Sequence, residues 1–293
     1  RPFDVGNSVL SFFVFVSTAF ILEASVRFPA RGFAKILTDE SAQERLSDYR
    51  SFLLSESNGS RFHEGYSLQF QLRHMPRRGS ETVKTGILYG PFLGCGVSRL
   101  SVVRDSQKNN FSNFLLKNGE DPKFWNVTSN ELQPILISSE ESLAPLVQGM
   151  NQTAFDLLMP FVFWNGEYKN SGKVAGRPAH VFSFTCPPWI TKVKPHWQNI
   201  TLALDDAYDA PLRVEILGKS QIAERTLILR KFKKVGNRWI VKEIDCHDRK
   251  SRSVTRMTVT SAALGLDLDQ TLFFPENLVQ PIRIDPKLYL STD

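Results

Sequence analysis

Apolar and polar residues alternate along most of this chain, and the alternation predicts strands. Residues 66–73 (YSLQFQLR) alternate without a break, the pattern of a half-buried strand. Residues 75–80 (MPRRGS) form a turn signal, and residues 82–89 read as the return strand. Shorter strands are expected at 97–103, 113–117 and 134–137. A longer series follows: 173–174 and 178–185 around a Gly176-Arg177 turn, then 197–204, 212–217, 225–235, 238–248 and 254–260. Gly236-Asn237 between two strong runs is a two-residue hairpin turn. Only two stretches carry helical spacing. In residues 30–55, Phe33, Ile36, Leu37, Leu46, Tyr49, Leu53 and Leu54 recur every three or four positions, with Thr38 and Asp39 placed to cap a second helix after a break. In residues 151–164 (NQTAFDLLMPFVFW), Phe155, Leu158 and Met159 share a helix face that Pro160 ends or kinks. Many strands, few helices and no long linker or repeat predict an α+β fold with one large antiparallel sheet or barrel.

Residues 9–22 (VLSFFVFVSTAFIL) break this texture with 14 uncharged positions. That is short of the roughly 20 residues of a membrane-spanning helix and matches a signal-peptide core. Ala24 and Ser25 offer small residues for cleavage, so residues 1–25 read as a signal peptide and 26–293 as a single exported domain. A buried core helix is the alternative. No Cys follows the run, which excludes the usual lipid-modified lipoprotein, and an exported chain enters a compartment where a disulfide is permitted.

Composition narrows the function classes. With 42% hydrophobic and 23% charged residues in 293, the chain is neither disordered nor a polytopic membrane protein. Three Cys, at 95, 186 and 246, are too few for a disulfide framework. The motifs G-x-S-x-G, H-E-x-x-H, C-x-x-C and the phosphate-binding loop are all absent from the sequence. Cys95 lies between two glycines, where a bend residue is the simpler reading than a nucleophile. In Cys246-His247-Asp248 strand parity turns the thiol away from the adjacent imidazole, which predicts an exposed polar strand end. The five His lack ligand spacing, so no metal site is expected. Asp205, Asp206 and Asp209 precede Pro211 and read as a solvated turn, with a divalent-cation cluster as the alternative.

Charge adds one feature. The whole chain carries +6, but residues 211–260 hold 13 Lys or Arg against 5 Asp or Glu, an excess of +8. The densest run is Arg230-Lys231-Phe232-Lys233-Lys234. It reads as a solvated strand face; an anionic headgroup, an acidic protein and nucleic acid are the functional options, and nucleic acid is disfavoured by the export signal. Asn-x-Ser/Thr triplets at Asn58, Asn110, Asn126, Asn151 and Asn199 matter only in a eukaryotic secretory route.

Aromatic residues give the candidate site. There are 22 Phe against 6 Tyr, a bias toward rings without a polar handle. Phe155, Leu158, Phe161, Phe163 and Trp164 flank Pro160, Phe182 and Phe184 share one strand face, and Trp189, Trp197 and Trp239 follow downstream. They form either an ordinary core or the lining of an apolar pocket under a curved sheet.

Several of these segments carry a family resemblance. They are Arg213-Val214-Glu215-Ile216, residues 227–235 passing through Gly236-Asn237 to Arg238-Trp239-Ile240-Val241-Lys242-Glu243-Ile244, residues 253–259, and the tail at 269–278 (DQTLFFPENL). Together they resemble the bacterial outer-membrane lipoprotein-sorting proteins of LolA-like fold, over about residues 140–280. Residues 155–164 before Asn165-Gly166 look like that family's short lid helix, and Arg177-Pro178-Ala179-His180-Val181 like one of its strand starts. The first half departs from the family through polar insertions at 106–110 and 117–123. The resemblance implies an incomplete antiparallel barrel wrapped around a few helices, its apolar concave face sheltering acyl chains of lipids or lipoproteins in the periplasm. It implies no catalytic residue, cofactor or metal and no nucleic acid; its partners would be those acyl chains and an inner- or outer-membrane receptor. A periplasmic sensor or binding module on the same fold is the second reading, and an envelope hydrolase using Cys95 the third. Each CH₂ exposed to water costs about 0.8 kcal/mol, so a carrier needs a dry interior rather than a catalytic group.

Overall fold

The computed structural model describes residues 19–20, 33–54, 65–91, 96–105, 110–128 and 133–293. Among them, in chain order, are β1 (Ala19–Phe20), α1 (Asp39–Leu54), β2 (Gly65–Met75), β3 (Thr82–Gly90), β4 (Val97–Asp105), β5 (Asn110–Lys117), β6 (Lys123–Thr128) and β7 (Ile135–Leu136). Then come α2 (Ala154–Leu158), a 3₁₀ turn at Pro160–Phe163, β8 (Gly166–Val174), β9 (Arg177–Thr185) and α3 (Pro188–Val193). The long strands β10 (Trp197–Asp205), β11 (Pro211–Gly218), β12 (Ala223–Val235), β13 (Arg238–Asp248) and β14 (Ser253–Leu266) follow, and β15 (Leu290–Ser291) closes the series.

One antiparallel sheet contains every strand, in the order β7-β6-β5-β4-β3-β2-β14-β13-β12-β11-β10-β9-β8, with β1 on β13 and β15 on β14. Neighbours are mostly joined by hairpins. The long crossover runs from β7 to β8, through α2, and it brings the last long strand, β14, against the first, β2. β7 and β8 do not pair with each other, so the barrel is incomplete. Both free edges are blunted: β7 is two residues long, and β8 (GEYKNSGKV) exposes Glu167 and Lys169.

Strand alternation builds the core. Leu68, Phe70 and Leu72 on β2, Leu100 and Val102 on β4, Phe182 and Phe184 on β9, Leu202 and Leu204 on β10, and Val214 and Ile216 on β11 are buried in one cluster. The same cluster takes Leu46, Tyr49 and Leu53 from α1 and Phe155, Leu157 and Leu158 from α2. The helices therefore fill the concave side of the sheet. A second, smaller cluster lies on the opposite face of β3–β6, where Tyr89, Leu115 and Val127 meet Phe273 and Leu278 of the C-terminal segment. Arg99 fastens that segment: its guanidinium donates to the carbonyls of Leu278 (2.8 Å), Leu272 and Asn277 (both 3.3 Å) and Gln280.

Several expectations shift. The helix begins at Asp39, not residue 30; Thr38 caps it by accepting from the Ser41 amide at 3.2 Å, and Ala34–Thr38 is non-helical. The β8–β9 turn is Ala175-Gly176, and Arg177 belongs to β9. The strand β6 and the helix α3 carry no clear pattern in the sequence. Of the apolar run at 9–22, only Ala19–Phe20 is described, paired with Ile240 and Trp239; the signal-peptide expectation for 1–25 otherwise lies outside the described residues. No helix among the described residues is long and apolar enough to cross a membrane.

Candidate functional site

The segment from Asn151 to Trp164 belongs neither to a strand nor to α1, yet it places Phe155, Leu157, Leu158, Met159, Phe161 and Val162 in the core. Thr153 starts α2 with a reciprocal cap: its hydroxyl accepts from the Asp156 amide (3.1 Å), and its own amide donates to the Asp156 carboxylate (2.9 Å). Six residues later Met159, just before Pro160, ends the helix in the left-handed region at φ 44°. Pro160 then opens a 3₁₀ turn, and the chain turns back toward β8. Gly166, the first residue of β8, lies under the ring of Phe184; a Cβ there would sit 2.5 Å from that ring, so no larger residue fits.

This turn concentrates rings. Phe155 has centroids 6.0 Å from Phe161, 6.1 Å from Trp164, 6.4 Å from Trp189 and 6.3 Å from Trp197. Phe161 reaches Phe184 at 5.6 Å, and Trp164 meets Trp189 edge-on at 6.3 Å. Tilted and edge-to-face contacts at these distances are favourable beyond plain burial. The rings pack on one another.

Polar anchors hold the segment on both sides. Arg225 of β12 donates to the Asp156 carboxylate, to the Asn151 carbonyl (2.8 Å) and to the Cys246 sulfur (3.2 Å). Asn151 in turn donates to the carbonyls of Cys246 (3.0 Å) and Ser253 (3.3 Å), and its amide donates to Thr255. Burial pushes the Cys246 thiol far above its ordinary range; Arg225 opposes that shift without overcoming it. The Arg225 charge is held by Asp156, Cys246 and Asp248, which outweigh its desolvation and raise its pKa. From the other side, Arg50 of α1 donates to the carbonyls of Val162 (2.7 Å) and Trp164 (2.6 Å), and Gln43 to that of Gly166 (3.2 Å).

A third set docks α1 at the far end of the sheet. Arg45 donates to the Asp209 carboxylate (2.5 Å) and to the carbonyls of Asp205 (2.8 Å) and Asp206 (2.7 Å). Buried His180 bridges Asp206 (2.8 Å) and the Tyr168 hydroxyl (3.2 Å), and Arg177 pairs with Asp205.

The structure thus gathers most of the candidate residues. Phe155, Leu158, Phe161, Phe182, Phe184 and Trp197 are buried; Phe163 and Trp164 are partly buried against the same core. Trp239 is also at the core rim, but on β13, three strands from Trp197 and at the opposite end of the sheet, beside the Gly236-Asn237 turn. Trp189 completes the ring cluster. Two readings are corrected. Cys246 is fully buried and hydrogen-bonded, not an exposed strand end. Asp205, Asp206 and Asp209 are not a solvated turn, since each is bound by Arg45, Arg177 or His180. No group of three or more metal-ligating side chains occurs among the described residues. Cys95 lies outside them. The anchors Arg225, Asp156 and Arg50 had no sequence signal, because their partners are 69 to 114 residues away.

Comparison with known proteins fits this geometry. Residues 114–280 match a family described as an uncharacterized protein, which is more than half of the chain. The chain belongs to that family, and its fold is LolA-like. An outer membrane lipoprotein-sorting protein domain from Vibrio parahaemolyticus superposes with a TM-score of 0.62 at 13% identity, covering 80% of this chain and 97% of that one. A DUF1329 family protein from Desulfovibrio piger also gives 0.62 at 13% identity, over 82% and 98%. A LolA superfamily protein from Nitrosomonas europaea gives 0.54 at 16% identity, over 80% and 97%. No curated protein sequence matches the chain.

Proposed function

We propose that this LolA-like protein is a periplasmic carrier of acyl chains of lipids or lipoproteins, with the segment 151–164 as the cover of its binding site. One observation carries the reading: a ring cluster built from that segment, β9, α3 and β10 closes the concave face of an open-edged sheet. The cover is joined to the sheet through Asn151 and the Arg225–Asp156 ion pair and to α1 through the carbonyls of Val162 and Trp164, while Leu157, Leu158 and Phe161 between them lie in the apolar cluster. A hydrocarbon chain that replaces those contacts meets the same buried faces of Phe182, Phe184 and Trp197. The relatives whose descriptions name lipoprotein sorting and the LolA superfamily support it.

The packing of the rings favours a second reading. A filled interior suits a binding or sensor module that recognises a partner by its surface and stores nothing inside. Uptake of a fluorescent fatty acid by delipidated protein separates the two. Saturable uptake weakened by Trp164→Ala or Phe161→Ala supports the carrier, and partner capture without any uptake supports the module.

A further inference from the structure

Part of the basic excess at 211–260 is spent on internal pairs. Lys231 meets Glu243 (3.0 Å), Arg256 grips Asp245 with two hydrogen bonds (2.7 and 2.8 Å), and Lys242 meets Asp293 (3.1 Å). A further group of exposed cations lies outside that run, and the strand register places its members together. Met75 pairs with Val254, Asp248 with Ser253 and with Arg225, so the turns β2–β3, β13–β14 and β11–β12 are neighbours at one end of the sheet. These three turns carry Arg77, Arg78, Lys219, Arg249, Lys250 and Arg252, all exposed, against the single acid Glu81. Only Arg249 has an acidic partner among the described residues, Glu224 at 3.2 Å. Five strand spacings separate β3 from β11, so the row is roughly 24 Å long.

The same end bears the ring cluster. Trp197 opens β10 opposite Gly218, the last residue before the β11–β12 turn, and Trp164 lies two residues before the start of β8 on this end. Lys194 lies 5.9 Å above the Trp197 ring. Ile222 and Val83, both roughly half exposed, stand among the cations.

We propose that this rim docks on an anionic bilayer surface and turns the ring cluster toward it. The row runs along neighbouring hairpins, is predominantly basic, and intersperses apolar tips, which suits headgroups and the first carbons below them. A nucleic acid would use the cations but not Ile222 and Val83. The inference concerns the surface alone and stands without the cargo reading, since vesicle binding and probe uptake are measured separately.

The test is co-sedimentation of the full chain with phosphatidylcholine vesicles with and without phosphatidylglycerol, at low and high salt. Binding is expected only with phosphatidylglycerol and is lost at high salt. Each rim cation removed should weaken it about fivefold, so Arg77→Ala with Arg78→Ala, or Lys250→Ala with Arg252→Ala, costs roughly 25-fold. Lys234→Ala, at the opposite end beside Gly236-Asn237, should leave binding unchanged. Unchanged thermal melting of the rim variants shows that the loss is not unfolding. No binding, equal binding to neutral vesicles, equal loss from Lys234→Ala, or tighter binding to duplex DNA than to anionic vesicles overturns the proposal.

Discussion

Arg225 and Asp156 form an ion pair buried between β12 and α2, and it is the point at which the covering segment is fixed to the sheet. Asp156 has two further duties, capping α2 through the Thr153 amide and orienting Arg225 toward Asn151 and Cys246. Removing one member of such a pair strands the other charge away from water. Asp156→Ala should therefore destabilise the protein by about 3–5 kcal/mol. Thr153→Ala, which loses only the cap, should cost about 1 kcal/mol. Urea unfolding followed by tryptophan fluorescence measures both; equal costs would show that the ion pair is not the anchor.

The C-terminal segment depends on Arg99. This guanidinium is almost fully buried and meets four backbone carbonyls rather than a carboxylate. Burial lowers its pKa to about 10, so it remains charged at neutral pH. Arg99→Ala removes all four donors and should free the segment around Phe273 and Leu278. Limited proteolysis is expected to cut between residues 267 and 281 in the variant while the wild type resists. Resistance in both would assign the hold to the apolar contacts of Phe273 and Leu278 alone.

Both described cysteines should be inert in the native protein. Burial pushes the Cys186 thiol from 9.0 to about 11, and the Cys246 thiol higher still. Only thiolates react quickly with maleimides. In a Cys95→Ala background, labelling at pH 8 should be negligible until urea is added. The same shift has a stability consequence. A thiol that is harder to ionise in the folded state stabilises fully below its unfolded pKa, and this contribution is lost as pH rises from about 9 to about 11. Across that window the wild type should lose up to about 2 kcal/mol relative to Cys186→Ala. Parallel pH profiles for the two proteins would rule this out.

What the sequence revealed follows from which faces are buried. Strands β2, β9 and β10 have one apolar face, so their period-two pattern is visible directly. β6 (KFWNVT) sends Phe124 to the main core and Trp125 and Val127 toward the C-terminal segment, and covering both faces erases the alternation. The ring cluster was legible because the α2 segment groups aromatics around Pro160. The anchors were not, since Arg225, Asp156, Cys246 and Asn151 meet only through tertiary folding. The Cys246 error has the same origin: parity gives its face, and only the fold shows that the face is covered by Asn151 and Arg225.

The carrier reading rests on whether the ring cluster yields to a hydrocarbon chain. Titrating delipidated full-length protein with cis-parinaric acid, while following energy transfer from Trp164, Trp189 and Trp197, asks this directly. Saturable binding that quenches tryptophan emission and weakens at least tenfold in Trp164→Ala is the expected result, about 1.4 kcal/mol of lost affinity. Absence of saturable binding by a folded, delipidated wild type would contradict the account.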